Sequence, residues 1–281
     1  MSDPAPTAVC PVCPHHCRLA EGQLGACRAR RAENGHVVPA AYGQISALAL
    51  DPIEKKPLAH FHPGRPILSV GFYGCNLHCP FCQNHDISQT AAPPSARSAT
   101  PEDLAALAAR LADTDGNLGL AYTYNEPLVA WEFVRDCAQL VRARGLFNVL
   151  VSNGVASPSV VDAIAPLLDA ANIDLKGPSQ AYYDWVGGDF AAACHTIATL
   201  HAAGVHVEVT TLVVPGHNDA DSDVDAIAAF LASLSPDIPL HLTRYFPRHR
   251  TLDIPPTPPA TLHRLAAVAR RRLARVLLGN L

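Results

Sequence analysis

Several features of membrane, secreted and nucleic-acid-binding proteins are missing from this chain of 281 residues. No apolar run approaches the ~20 residues that a bilayer-spanning helix needs. Residues 1–8 are polar and contain proline, without the charged start and apolar middle of a signal peptide. The net charge of -4 argues against a surface for nucleic acid or anionic membranes. We therefore expect a cytoplasmic protein that binds neither nucleic acid nor membrane.

A G-x-G-x-x-G motif after a strand-like run is also missing, which weakens a dinucleotide-binding interpretation. Hydrophobic residues make up 49% of the chain and charged residues 16%, an ordinary soluble composition. The length suffices for one large core, or for one core with a small appended module.

The nine cysteines are distributed in a way that argues against disulfides. Four fall within residues 10–27 and three within residues 75–82. Only Cys137 and Cys194 stand alone, where we expect small buried hydrophobic side chains. Short cysteine spacings in a chain without an export signal indicate metal or cofactor sites.

Cys75, Cys79 and Cys82 have the spacing C-x3-C-x2-C, and no fourth cysteine lies nearby. A four-iron cluster normally takes four thiolates. A three-cysteine loop therefore predicts a cluster with one iron left open for a ligand that is not protein. The alternative is a zinc site completed by a histidine such as His78 or His85.

The N-terminal cysteines supply a complete set of four thiolates, from Cys10, Cys13, Cys17 and Cys27. Four thiolates can close a zinc site or hold a second [4Fe–4S] cluster, and spacing alone does not choose between them. Residues 1–65 otherwise show little periodicity. We interpret them as a small cysteine-rich metal-binding module, because so short a segment buries little core unaided.

From residue 66 onward, strand-like and helix-like runs alternate along the chain. The strand-like runs are residues 66–73, 118–122, 147–151, 171–175, 205–214, 240–246 and 275–278. Six strand–helix units followed by one short strand predict parallel β-structure. A closed barrel needs eight such units. We therefore predict an α/β protein with an open, partial (β/α)6 TIM-like barrel over residues 66–281. An open doubly wound sheet is the competing architecture.

Functional residues of such barrels collect where the strands end. Asn125 and Glu126 follow the second strand, and Asn153 follows the third, where it suits either ligand contact or a plain turn. Glu126 suits either the binding of a cation or the capping of the next helix. Asp174 and Lys176 share one face of the fourth strand. Burying both is costly unless they pair with each other or bind a charged ligand.

The last two strand-like runs carry further polar residues. Glu208 and Thr210 alternate with apolar positions in the fifth run, so we expect them to point to one face. Arg244 and Tyr245 lie near the end of the sixth run. They suit the binding of an anionic or carboxylate substrate, and a role in lining the barrel suits them equally.

The three-cysteine loop, with Phe81 just before its last cysteine, resembles the cluster loop of radical S-adenosylmethionine (SAM) enzymes. The resemblance implies a [4Fe–4S] cluster whose open iron binds the amino and carboxylate groups of SAM. It implies reductive cleavage of SAM to a 5′-deoxyadenosyl radical, which abstracts a hydrogen atom from a substrate. It further implies that Phe81 packs near the adenine, and that a low-potential donor such as flavodoxin or ferredoxin supplies the electron.

Two further segments extend this resemblance. Residues 122–127, Tyr-Thr-Tyr-Asn-Glu-Pro, lie where the family has a Gly-Gly-Glu-Pro element that holds the amino group of SAM. Tyr124 and Asn125 replace the two glycines. The Asp174-x-Lys176 element is similar to one in activating enzymes of glycyl radical enzymes, where it contacts SAM. The resemblance thus implies SAM-binding roles for Asn125, Glu126, Asp174 and Lys176.

The chain as a whole most closely resembles the radical enzyme of the AmmeMemoRadiSam system, a relative of pyruvate formate-lyase activating enzyme. The matching segments are the three-cysteine loop and residues 13–17, 22–27, 51–58, 122–127 and 210–219. This resemblance implies a protein, peptide or small-molecule substrate, handled alongside the two companion proteins of that system.

Two other functions stay open. One is activation of a partner protein by formation of a backbone glycyl radical. The other is a non-catalytic iron–sulfur electron carrier. The polar elements at residues 125–126 and 174–176 argue against a carrier, because it needs no pocket for SAM.

Overall fold

The computed structural model describes residues 7–281. Within them the β-strands are β1 (Ala8–Val9), β2 (Arg18–Leu19), β3 (Arg30–Glu33), β4 (His36–Pro39), β5 (Gln44–Ile45), β6 (Ala47–Pro52), β7 (Pro66–Gly71), β8 (Arg97–Ser98), β9 (Gly119–Thr123), β10 (Phe147–Ser152), β11 (Ala170–Asp174), β12 (His206–Val213), β13 (Leu240–Arg244) and β14 (Val276–Gly279).

The α-helices lie mainly between the later strands. They are α1 (His85–Ser88), α2 (Pro101–Asp115), α3 (Trp131–Arg142), α4 (Pro158–Ile164), α5 (Gln180–Val186), α6 (Phe190–Ala202), α7 (Asp221–Leu234) and α8 (Pro259–Ala269). Short 3-10 helices cover Ile53–Lys55, Pro127–Ala130 and Ala165–Leu167. Over the described residues, no helix has both the length and the apolar character needed to cross a membrane.

One eight-stranded sheet organises the molecule, in the order β14-β13-β12-β11-β10-β9-β7-β6. All neighbours from β7 to β14 run parallel, and β6 runs antiparallel to β7. The two edge strands, β6 and β14, do not pair with each other, so the barrel is open. Helices α2, α3, α6 and α8 pack on the strands. The predicted α/β fold is confirmed, and the seven predicted strands differ from the observed ones by no more than two residues at either end.

Local sequence signals explain several of these boundaries. Helix α2 begins at a capping box in which the Thr100 hydroxyl accepts from Asp103 N–H and the Asp103 carboxylate accepts from Thr100 N–H. Pro101 occupies the first helical position, and Gly116 ends the helix at φ +70°. These residues define the helix before any packing partner is considered.

Strand β6 lies in the segment that the sequence assigned to the N-terminal module. It nevertheless pairs along its whole length with β7, from Ala47 opposite Gly71 to Pro52 opposite Pro66. This pairing satisfies the backbone groups at the outer edge of β7, which would otherwise face solvent as an open edge. The main sheet therefore begins at residue 47, before the predicted boundary at residues 65 and 66.

The amino end of the barrel is closed by residues 53–61. Ile53 and Leu58 are fully buried there and pack with Ile67, Ala121 and Val149 on the inner faces of the strands. A small apolar cluster therefore fills this end, so ligands have room only at the opposite end.

Glu208 on β12 anchors this closure. Its buried carboxylate accepts hydrogen bonds from the backbone N–H groups of Ala59 (3.1 Å) and His60 (2.7 Å). The Nε2 atoms of His206 (3.0 Å) and His241 (2.5 Å) are also partners. Burial alone would raise the pKa of Glu208, but these four groups together lower it to about 2. Thr210 points to the same side as Glu208, as expected, because its hydroxyl donates to Asn172, whose amide nitrogen donates to the Pro57 carbonyl in the same closing segment.

Candidate active site

The three-cysteine loop leaves β7 at the carboxyl end of the sheet. Cys79 is buried, and Cys75 and Cys82 are half-buried. The Cys75 thiol accepts a hydrogen bond from Leu77 N–H (3.3 Å). The Cys82 thiol lies 3.1 Å from the Ser88 hydroxyl. The three thiols that the sequence singled out thus stay within one loop, held by contacts inside that loop and with α1.

Burial raises the pKa of two of these thiols in the metal-free protein. It raises the pKa of Cys79 to about 12, while Lys176 works in the opposite direction. The pKa of Cys75 is likewise raised, by burial and then by the nearby Glu126 carboxylate. A metal that takes these ligands therefore has to displace their protons.

Glu126 lies beside the loop with 1% of its surface exposed. Its carboxylate accepts from Leu128 N–H (2.9 Å), which caps the short helix after β9. It also accepts from the Ser152 hydroxyl and from Asn153 N–H, both at 2.7 Å. Burial raises the pKa of Glu126 to about 7, and Asp174 adds to that rise. The carboxylate has only neutral donors, so a cation placed beside it would favour its ionised form.

The amide of Asn125 ties the end of β9 to the three-cysteine loop. Its oxygen accepts from Phe72 N–H (2.9 Å) and its nitrogen donates to the Gly74 carbonyl (2.8 Å). The preceding residue, Tyr124, stands where the related family has glycine and adopts φ +72°. That left-handed conformation is the one that glycine adopts most easily. A backbone bend of the kind that glycine allows is therefore present although the residue is tyrosine.

Asn153 links the end of β10 to the same loop. Its side-chain nitrogen lies 3.6 Å from the Cys75 thiol and donates to the Asn76 side chain (2.9 Å). Asn76 has 1% exposure and also donates to the Val155 carbonyl (2.5 Å). Sequence reasoning missed Asn76, although a polar residue directly after the first cysteine was a visible signal.

Asp174 and Lys176 form an ion pair at the end of β11, with Nζ 2.6 Å from Oδ2. Their side chains keep 33% and 18% of their surface exposed. Burial would lower the pKa of Lys176, but Asp174 and Cys79 outweigh it and raise the pKa. The two charged groups meet as expected, although β11 ends at Asp174 and Lys176 lies in the loop that follows, and both charges act on the pKa of Cys79.

An aromatic wall stands next to the loop. Phe81 is buried and packs on Trp185, with ring centroids 5.3 Å apart. Trp185 also stacks on His217 at 3.8 Å. The ring of Tyr182 meets Trp185 edge-on, and its buried hydroxyl has no hydrogen-bond partner. Tyr182, Trp185 and His217 line a cleft of about 240 Å³. Of these residues, only Phe81 was anticipated as a site residue.

Arg244 and Tyr245 take part in holding the segment after β13. Arg244 Nε donates to the Thr257 carbonyl (2.7 Å). Tyr245 has 1% exposure, and its hydroxyl bonds to the Thr251 side chain (2.9 Å). The structure therefore gives both side chains partners within the protein, as a barrel-lining role requires.

The two histidines considered as zinc ligands have other contacts. His78 Nδ1 lies 3.1 Å from the Gln89 side-chain oxygen, and His85 stacks on His249 with centroids 4.4 Å apart. Over residues 7–281, no three His, Cys, Asp or Glu side chains form a group that could hold a single metal ion.

The chain matches a known protein family. The Radical SAM superfamily matches residues 69–231, more than half of the chain. The chain therefore belongs to the Radical SAM superfamily.

The chain is also similar to individual proteins. The chain is 38% identical over 276 residues to the uncharacterized protein MJ0808 of Methanocaldococcus jannaschii, covering 96% of this chain and 80% of that protein. It is 30% identical over 115 residues to benzylsuccinate synthase activating enzyme of Thauera aromatica, covering 40% of this chain and 35% of that enzyme. Among solved structures, a radical SAM methyltransferase from Sphaerobacter thermophilus shares the fold, with a TM-score of 0.60 and 19% identity over 78% of this chain and 67% of that one.

Members of this superfamily use a [4Fe–4S] cluster and SAM. The donor set at the carboxyl end of the barrel fits both groups. Three thiols in one loop leave a cluster one ligand short. Beside them lie the buried carboxylate of Glu126, the Asp174–Lys176 ion pair and the unpartnered Tyr182 hydroxyl, a set of groups suited to a charged, polar ligand.

Proposed function

We propose that this chain is a radical SAM enzyme that cleaves SAM reductively and abstracts a hydrogen atom from a substrate. The observation that carries the proposal is the grouping of Cys75, Cys79 and Cys82 with Glu126 and the residue 174–176 ion pair at one end of the barrel. When bound, the [4Fe–4S] cluster supplies the electron that splits SAM into methionine and a 5′-deoxyadenosyl radical. A donor such as flavodoxin or ferredoxin reduces it.

In this proposal the residues bind and orient, and the radical chemistry belongs to the cofactor. The three thiolates hold the cluster. Glu126 faces the ammonium group of SAM, which supplies the cation that its neutral donors lack. Asp174 and Lys176 offer one charge of each sign to a ligand that carries both.

The apolar part of SAM has its own surface. Phe81 packs against Trp185 and forms a wall on which an adenine ring can stack. Asn125 and Asn153 position the loop rather than the ligand, because their amide groups are already bonded within the protein. The amino end of the barrel is filled, so substrate enters from the carboxyl end.

For the substrate we propose a protein, peptide or small molecule, handled with the companion proteins of the AmmeMemoRadiSam system. The segment matches described above support this assignment. The second candidate is activation of a glycyl radical enzyme, which the local similarity to benzylsuccinate synthase activating enzyme favours. An electron carrier accounts less well for the buried carboxylate and ion pair beside the thiols.

Anaerobic reconstitution with iron and sulfide tests the reaction. Addition of dithionite and SAM is expected to yield 5′-deoxyadenosine, measured by liquid chromatography and mass spectrometry. Cys79→Ala is expected to abolish it, whereas Cys194→Ala, a cysteine in α6 outside the site, retains it. Absence of 5′-deoxyadenosine from the wild-type protein with its cluster intact would contradict the proposal.

The two substrate candidates separate in a second experiment. A pull-down from anaerobic lysate identifies bound proteins, and each is incubated with enzyme, SAM and dithionite. Electron paramagnetic resonance of a carbon-centred radical on the partner's backbone indicates glycyl radical activation. A modified partner or small molecule without such a radical indicates the first candidate.

A further inference from the structure

The N-terminal cysteines form a second set of thiols packed against the three-cysteine loop. They lie on two tight turns, in which Cys10 N–H donates to the Cys17 carbonyl (3.0 Å) and Gly25 N–H donates to the Arg30 carbonyl around Cys27 (2.8 Å). The two turns are near each other, since Cys10 acts on the pKa of both Cys13 and Cys27. The thiols of Cys10, Cys13 and Cys27 are buried, and that of Cys17 is half-buried. We call Cys10, Cys13, Cys17 and Cys27 the N-terminal cysteine set.

The buried side chain of Arg30 lies next to the N-terminal cysteine set. Arg30 has 2% exposure, and against the effect of burial its pKa is raised mainly by Glu132, with smaller contributions from the neighbouring Cys10 and Cys27. Its terminal nitrogens bond to both oxygens of Glu132, at 2.7 and 2.8 Å. Its Nε has no partner. A buried donor left unsatisfied is costly, so an anionic group near Arg30 would stabilise this arrangement.

The N-terminal cysteine set touches the three-cysteine loop directly. Cys75 N–H donates to the Cys27 carbonyl (3.2 Å). The Asn76 side chain lies near the Cys13 thiol, and its oxygen accepts a hydrogen bond from the Asn153 side-chain nitrogen, which lies 3.6 Å from the Cys75 thiol. Two asparagine side chains therefore separate a sulfur of one set from a sulfur of the other.

Gly74 permits this close approach. It adopts φ +84°, and a Cβ atom there would overlap the Cys27 carbonyl oxygen and crowd Ala29. Only glycine fits both the conformation and the space. The contact between the two sets is therefore built into the backbone.

We propose that the N-terminal cysteine set holds a second [4Fe–4S] cluster and that this cluster relays electrons to the site at Cys75, Cys79 and Cys82. Four thiolates suit either zinc or a four-iron cluster. Zinc has no redox chemistry, whereas a cluster held by the buried or half-buried thiols at Cys75, Cys79 and Cys82 would need an electron delivered to it. The relay, and with it the choice of a cluster over zinc, rests on the proposed function, whereas the metal content of the N-terminal cysteine set can be measured independently of that function.

The proposed relay transfers one electron. A low-potential one-electron protein donor, of the flavodoxin or ferredoxin class, is oxidised by one electron. That electron enters at the N-terminal cysteine set and moves on to the site at Cys75, Cys79 and Cys82. The N-terminal cysteine set then returns to its oxidised state, and no covalent bond forms or breaks.

The first experiment isolates the N-terminal cysteine set. The variant with Cys75, Cys79 and Cys82 all changed to Ala is reconstituted anaerobically, and iron, sulfide and zinc are measured together with a Mössbauer spectrum. About four irons per chain with a four-iron spectrum are expected. Zinc, or no metal, overturns the proposal. This readout does not involve SAM, so a failure of the proposed function leaves it interpretable.

The second experiment tests the relay. The Cys13→Ala/Cys17→Ala variant is expected to hold about half of the wild-type iron, because each cluster contributes equally. Stopped-flow absorbance then follows reduction of the remaining cluster by dithionite and by reduced flavodoxin. We expect loss of the fast phase with flavodoxin and unchanged reduction by dithionite. Equal rates with flavodoxin in variant and wild type overturn the relay.

Two controls keep these outcomes decisive. Cys194→Ala matches the loss of a thiol outside both sets and is expected to keep full iron content and both rates. If the double variant fails to fold by circular dichroism, Cys17→Ser replaces it, since Cys17 is the more exposed member of the set.

Discussion

Two buried glutamates at opposite ends of one barrel differ in how their charge is balanced. Glu208 at the amino end has two imidazoles and two backbone N–H groups around it, and its pKa falls to about 2. Glu126 at the carboxyl end has two backbone N–H groups and one hydroxyl, and its pKa rises to about 7. Burial acts in the same direction on both. The difference lies in their partners.

The comparison indicates that the amino end of the barrel contributes to stability and the carboxyl end to ligand binding. The amino end satisfies its carboxylate with groups from the chain itself and closes on residues 53–61. The carboxyl end keeps a carboxylate without a cation, a half-exposed ion pair and a hydroxyl without a partner. We expect substitutions at the first end to change stability and substitutions at the second to change ligand binding.

The largest effect is expected from Glu208→Ala. It leaves the N–H groups of Ala59 and His60 and two imidazoles without their acceptor, so the free energy of unfolding should fall by about 3–5 kcal/mol. Urea denaturation measures this. Glu33→Ala, which removes an exposed partner of Arg31, should cost about 0–1 kcal/mol. Equal stability of the Glu208 variant and wild type would remove the contrast between the two ends.

The pH dependence of the metal-free protein should show both carboxylates with opposite signs. The low folded pKa of Glu208 adds stability above its ordinary value of 4.5, and this is lost as the pH falls toward about 2. The raised folded pKa of Glu126 makes stability fall as the pH rises from 4.5 to about 7. Each effect amounts to roughly 3 kcal/mol at most. Denaturation midpoints measured across this range give the profile.

A separate substitution is expected to remove each of these two pH-dependent changes in stability. Glu126→Gln should remove the decline between pH 4.5 and about 7 and leave the acid limb in place. Glu208→Gln should do the reverse. A decline near neutral pH that persists in Glu126→Gln must come from other groups.

For ligand binding, Glu126→Gln tests the proposed role at the site. Loss of a charge-assisted hydrogen bond should weaken SAM binding by about 1.5–3 kcal/mol, or roughly ten- to a hundredfold in affinity. Equilibrium dialysis with the reconstituted enzyme measures it. Glu208→Gln is the matched control, and its affinity for SAM should stay near that of wild type. Equal losses in both variants would point to a general disturbance of the barrel.

The smallest effect is expected from Tyr182→Phe. Its hydroxyl has no partner in the protein, so the metal-free variant should be as stable as wild type, while SAM binding weakens by about 0.5–1.5 kcal/mol. Tyr183→Phe is the neighbouring control, because the Tyr183 hydroxyl accepts from Lys176 N–H (3.2 Å). That variant should lose stability. Unchanged SAM affinity in Tyr182→Phe would place the hydroxyl outside the ligand pocket.

Much of the fold could be predicted because its signals are local. The apolar runs give the parallel strands, and the capping box at Thr100 and Asp103 gives the start of α2. Strand β6 was missed, since Ala47–Pro52 is short, partly exposed and without clear alternation. Only pairing with β7, which is apolar and buried, makes it a strand.

The site was predictable to the extent that its chemistry is concentrated in short motifs. The pairing of Asp174 and Lys176 could be expected from their spacing, although β11 ends at Asp174 and the contact depends on the loop that follows. Glu126 could be located, but its partners Ser152 and Asn153 lie on another strand. Asn76 and Tyr182 were not anticipated, because their importance depends on burial and on unfilled hydrogen bonds.

The sequence by itself determined the succession of seven strands along the chain, the grouping of three cysteines in one loop and the four-thiol set at the N-terminus. These follow from periodicity and from spacing within a few residues. The tertiary structure decided that Glu208 is held ionised by residues 59–60, almost 150 positions away, whereas Glu126 is not. It also decided that Cys27 touches Cys75. Hydrogen bonds and burial of this kind depend on which distant segments meet, and no local pattern encodes that.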